Sequence, residues 1–229
     1  MPKKKKNSNY VTDKTVAAKQ QKESEKRKKK IRKTVKTVSI TVLAILLIAG
    51  AVIGIGAALG MFDYTPEATA HVNITIEGYD EALHVELYGE DAPETVKNFT
   101  DLVKSGKFTG TLMHTYKDGL LYGGGKNADG GNKGIKGEFE DNGFENKISL
   151  TRGVIAMARG EGNDSAYDQF FIVTEDDLDD LDGKYAAFAY ISGGMDVIED
   201  IIKNAEVDDN GVIKNPPKIL SISAPHAAH

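Results

Sequence analysis

GVIAMARGEGNDSAYDQFFIVTEDDLDDLDGKYAAFAYISGGMDVIEDI, residues 153–201, carries the pattern that decides the architecture. It holds three short apolar runs, Gly153–Met157, Phe170–Thr174 and Ala186–Ile191, separated by polar, glycine-containing loops. Runs of this length, rich in β-branched and aromatic side chains, read as strands. From Met195 to Ile202 the apolar residues recur at helical spacing instead. Upstream, Val72, Ile74 and Ile76, then Leu83, Val85 and Leu87, alternate with polar residues around EGYDEA, which predicts a β-hairpin. Pro93 stands at a first helical turn, Val96, Phe99, Leu102 and Val103 follow at helical spacing, and Gly106 is placed to end that helix. Glycine dominates 119–137, which reads as loop, and Lys218–Ile222 is placed to close a sheet. Many short strands with two helices give a mainly β domain, an antiparallel barrel or a sandwich.

Outside that domain the charge divides sharply. Residues 1–36 hold 15 Lys/Arg against 3 acids, net +12, whereas 37–229 holds 14 against 31, net −17. Between the two blocks, Thr37–Phe62 is a run of 26 residues without a charge. As a helix this run reaches about 39 Å, more than the roughly 30 Å of a bilayer's hydrocarbon core. It is too long for the apolar stretch of a cleavable signal peptide, so a retained signal anchor is expected. The basic flank KRKKKIRK places the N-terminus in the cytoplasm and the acidic domain on the far side of the membrane. That flank also suits attraction to anionic lipid headgroups, and nucleic-acid binding is not expected. Gly50-x-x-x-Gly54 and Gly56-x-x-x-Gly60 are spacings that permit weak pairing of two such helices. The expected organisation is a disordered basic tail (1–36), a transmembrane helix (37–62), a linker (63–69), the β domain (70–223) and a short tail (224–229).

Several chemistries fall away on composition. With no cysteine among 229 residues there is no disulfide framework, thiolate metal site or catalytic thiol. GGGKNADGGNKGIKG lacks the Gly-x4-Gly-Lys-Ser/Thr order of a phosphate loop, and EDDLDDLDG fits no register of a calcium loop. The five histidines are scattered at 71, 84, 114, 226 and 229, no Gly-x-Ser-x-Gly elbow is present, and no metal is expected.

TVKNFTDLVKSGKFTGTLMH (95–114), IKGEFEDNGFENKISLTRGVIAMARG (135–160), DSAYDQFFIVT (164–174) and LDGKYAAFAYISGGMDVIEDI (181–201), in this order, resemble the cyclophilins. The resemblance covers about Ala70–Asn204. It implies a closed eight-stranded antiparallel barrel with two capping α-helices and peptidyl-prolyl cis-trans isomerase activity without a cofactor. It also implies site residues. His114 stands at the histidine of the family's Phe-His-Arg motif, but Thr115 replaces the arginine that supports the proline nitrogen. Leu120, Leu121 and Gly123 fall at the positions of a pocket phenylalanine, a methionine and a glutamine. Ala158, Gln169, Phe171 and Leu181 match the family, and Tyr185 sits where members carry His or Tyr. Asp180 falls where some members have tryptophan, so tight cyclosporin binding is not expected. Lys117 and Arg159 are the nearby cations that could stand in for the arginine.

The expected function is therefore isomerisation of prolyl bonds in proline-containing segments of exported or surface proteins at the membrane. The alternative is a catalytically weakened proline-peptide-binding module or chaperone, since one lost preorganised donor typically costs about 10²–10³ in rate.

Overall fold

The computed structural model describes residues 64–176 and 178–227. The predicted membrane span and the basic segment lie outside these residues; among the described residues no helix is long and apolar enough to cross a membrane.

The predicted hairpin is β1 (Ala70–Ile76) and β2 (Leu83–Leu87), antiparallel, with Val72 opposite Val85 and Ile74 opposite Leu83. Its alternating apolar residues are almost fully buried because one face of the pleat turns inward. Six more strands complete the wall: β3 (Leu112–Lys117), β4 (Leu120–Gly124), β5 (Val154–Met157), β6 (Gln169–Val173), β7 (Ala187–Gly193) and β8 (Ile219–Ile222). Their order is β3-β4-β6-β5-β7-β2-β1-β8, antiparallel throughout. The ends meet where Met113 N donates to Pro217 O at 3.0 Å and Ile219 N donates to Thr111 O at 2.8 Å, which closes the barrel. A two-residue strand β9 (His226–Ala227) pairs with the start of β1, so pairing runs past the boundary at 223 that the pattern suggests.

Helix α1 (Pro93–Lys104) and helix α2 (Met195–Asn204) cap the barrel. From α1, Phe99 packs on Phe108 and Phe188, each with ring centroids 5.1 Å away. No side chain of its own caps α1. Instead the buried Glu138 carboxylate accepts from Glu94 N (2.9 Å) and Thr95 N (2.8 Å), two donors that the first helical turn leaves unpaired. Gly106, at φ +72°, ends the helix as expected.

The reading of 119–137 as loop needs correction, because β4 runs through Leu120–Gly124 between β3 and β6. Its glycines serve close packing. A Cβ on Gly123 would strike Met113 and Phe170, and one on Gly124 or Gly125 would strike Asp168. The backbone approach they permit includes Gly125 N donating to Asp168 O at 2.7 Å.

Candidate active site

The outer face of β4, β5, β6 and β7 carries a second apolar cluster, separate from the barrel interior. Strand alternation decides who belongs to it. Along β6, Phe170 and Ile172 point inward while Phe171 and Val173 point outward; along β5, Ile155 and Met157 oppose Ala156, and Ala158 just beyond the strand joins the outer set. On β4 the outer residues are Leu120 and Tyr122.

That alternation corrects two expected pocket residues. Leu121 is fully buried in the barrel core, and the Cβ direction of Gly123 runs into Met113 and Phe170, also core residues. Neither faces the outer groove, because a one-residue step along a strand reverses the face. Tyr122 occupies the wall instead, directly across from Thr115 in the β3–β4 register. Family resemblance does not point to it, although the alternation of LLYG carries the signal. On β3 the register shifts between Met113 and Thr115, and this bulge lets the consecutive residues His114 and Thr115 both line the groove.

Two cavities meet at Tyr122 and Lys117, which line both. The smaller, about 330 Å³, lies among Leu120, Tyr122, Leu178, Leu181 and Tyr185. Beneath it Phe171 is nearly inaccessible, with the Tyr185 ring edge-on at 5.1 Å and the Tyr122 ring at 5.7 Å. Ala158 is buried in the same cluster. The larger cavity, about 690 Å³, takes His114, Thr115 and Gln169 from the barrel and Val212, Lys214 and Pro216 from the loop before β8.

A compact polar network floors the larger cavity. Gln169 Nε2 donates to Gly125 O at 2.7 Å and reaches His114 Nε2 at 3.3 Å. His114 Nδ1 lies 2.8 Å from Thr115 Oγ1, and its Nε2 lies 3.2 Å from Gly125 O. Two neutral tautomers share this network: a proton on Nε2 donates to Gly125, and a proton on Nδ1 donates to Thr115. Burial pushes the imidazole's pKa below its ordinary value and the Lys126 charge adds to that, against the opposing Gly125 hydrogen bond. Tyr122 titrates above its ordinary value, through burial first and then the neighbouring Tyr185 and Asp118, so its hydroxyl stays protonated. That hydroxyl has no hydrogen-bond partner among the described residues.

Arg159 is otherwise engaged. Its guanidinium lies over the Phe139 ring (5.0 Å) and the Tyr185 ring (5.2 Å), Nε donates to Lys184 O at 3.0 Å, and Nη1 donates to Gly160 O at 3.2 Å. It positions Tyr185 rather than extending toward Thr115. Among the described residues no group of three or more His, Asp or Glu is placed to hold a metal ion.

The family model for cyclophilin-type peptidyl-prolyl cis-trans isomerases matches residues 71–224. The chain belongs to the cyclophilin family. Peptidyl-prolyl cis-trans isomerase B of Escherichia coli is 34% identical over 157 residues, covering 66% of this chain and 90% of that protein. The peptidyl-prolyl cis-trans isomerase of Acinetobacter baylyi is 35% identical over 141 residues, 59% of this chain and 74% of its own. Among solved structures, a Cryptosporidium parvum cyclophilin determined in the presence of the dipeptide Ala-Pro superposes with a TM-score of 0.57 at 24% identity, covering 69% of this chain and 98% of that one. This cyclophilin is an isomerase of prolyl bonds, and its barrel with two helices is the family fold.

Proposed function

We propose that the proline ring of a substrate enters the smaller cavity over Phe171, and that Tyr122 supplies the hydrogen-bond donor for the turning amide. The observation that carries this reading is the position of Tyr122, opposite Thr115 and on the shared wall of both cavities, with a hydroxyl that has no hydrogen-bond partner among the described residues. Rotation about the Xaa–Pro bond is opposed by amide resonance, a barrier of about 18–20 kcal/mol. As the bond twists, the nitrogen becomes pyramidal and gains a lone pair, and a donor aimed at that lone pair lowers the barrier. The apolar walls Leu120, Leu181 and Tyr185 hold the ring, and Gln169, its amide nitrogen fixed by Gly125, keeps Oε1 available to a substrate N–H. Thr115 is too short for this donor role, and its hydroxyl is engaged by His114.

The clients on this reading are proline-containing segments of exported proteins, met on the far side of the membrane. The uncharged run 37–62 and the basic segment before it support that placement.

The test is Tyr122→Phe, which removes one oxygen and keeps the ring on Phe171. It is expected to lower kcat/KM by about 100- to 1,000-fold with little change in peptide affinity, as for other preorganised donors. Adding Thr115→Arg in that background is expected to restore part of the loss. Full activity of Tyr122→Phe contradicts the assignment.

A further inference from the structure

The larger cavity carries a charge that proline binding does not require. Lys117 from β3, Lys126 just beyond β4 and Lys214 from the loop before β8 all line it, and no Asp or Glu does. This concentration of ammonium groups stands out because the chain from residue 37 onward is strongly acidic, with 31 Asp+Glu against 14 Lys+Arg. Among the described residues, the Lys117 and Lys126 ammonium groups form no ion pair and no hydrogen bond; Lys214 pairs with Glu206 at 3.2 Å, both side chains exposed. The three lysines converge on a concave space with apolar walls from Leu112, Val212 and Pro216, beside His114 and Gln169. A flat lipid surface fits such a cavity poorly, whereas a peptide side chain fits it well. The smaller cavity is lined by Asp118 and Asp180 as well as Lys117, so the excess of cations belongs to the larger one; because Lys117 and Tyr122 line both, a peptide with its proline over Phe171 would carry its neighbouring residues among these ammonium groups.

We propose that the groove selects prolines that have an acidic side chain within two residues of the ring. The selectivity rests on the isomerase reading above and names its substrate class. Single exposed ion pairs are weak, and two or three cations around one carboxylate give an expected preference of about three- to tenfold.

The experiment uses full-length protein in an uncharged detergent and Ala-Pro peptides that differ only in a Glu, Ala or Lys beside the proline, before it in one set and after it in another. Cis–trans exchange and affinity are read from the same NMR titrations. The expected result is a preference of Glu over Ala over Lys in at least one set, largely lost in about 0.5 M salt, where the Debye length is only a few ångströms. The Glu-to-Ala ratio is expected to collapse toward one in Lys117→Gln/Lys126→Gln and to persist in Lys97→Gln, on the surface of α1. Equal handling of the three peptides, or a preference for Lys, overturns the selectivity and leaves the isomerase reading standing. A Glu preference in binding without any exchange overturns catalysis and upholds the selectivity. Binding of no peptide overturns both.

Discussion

At His114, burial outweighs hydrogen bonding in setting the protonation state. The folded imidazole holds its proton less tightly than an ordinary histidine, so the unfolded chain binds protons more readily as pH falls below the usual value of 6.5. The stability contribution is therefore complete above pH 6.5 and is lost as pH falls from there through the lowered folded pKa. Ring-proton shifts followed through an NMR titration are expected to place the His114 midpoint below 6.5, and a midpoint at or above 6.5 contradicts the burial argument. The same residue illustrates what a linear reading reaches. His114, Gln169, Phe171, Leu181 and Tyr185 are legible because their neighbours form recognisable strings; the structure places His114 and Gln169 on the larger cavity and Leu181 and Tyr185 on the smaller, above Phe171. Leu121 and Gly123 lie on the inner face of β4 and Tyr122 on the outer, which matching positions along a chain does not show.

Elements were legible in proportion to their own periodicity. β1, β2 and both helices announce themselves through alternation or helical spacing, whereas β4 is hidden by glycines needed for contact with Met113, Phe170 and Asp168. The β3 bulge has no sequence mark at all, since it arises from pairing between strands. The capping of α1 is equally non-local, because Glu138 lies more than forty residues beyond the turn it serves. Glu138→Ala removes two charge-assisted hydrogen bonds and is expected to cost about 2 kcal/mol. For a domain of this size that lowers Tm by about 4–8 °C in a thermal melt. Glu138→Gln, which keeps one acceptor oxygen, is expected to lose about half as much. An unchanged melt for Glu138→Ala would show that the helix start finds other partners.

At the scale of the whole molecule, the end strands β3 and β8 meet through the Leu112–Lys218 bridge and β9 pairs with β1, which leaves little open sheet edge among the described residues. The proposed anchor gives a further outcome. A chain held by residues 37–62 is expected to stay with the membrane fraction through alkaline carbonate extraction, with the barrel open to protease added from the side opposite the basic tail. Release into the supernatant contradicts the anchor. Turnover is read most directly by two-dimensional exchange NMR on an Ala-Pro-Phe peptide with a small fraction of full-length protein. Uncatalysed interconversion takes tens to hundreds of seconds, so cis–trans cross-peaks at a mixing time of about one second arise only by catalysis. Such cross-peaks are expected, together with shifts at Tyr122, Leu181 and Tyr185. Shifts at those residues without cross-peaks would contradict turnover and leave a groove that binds proline and does not turn it.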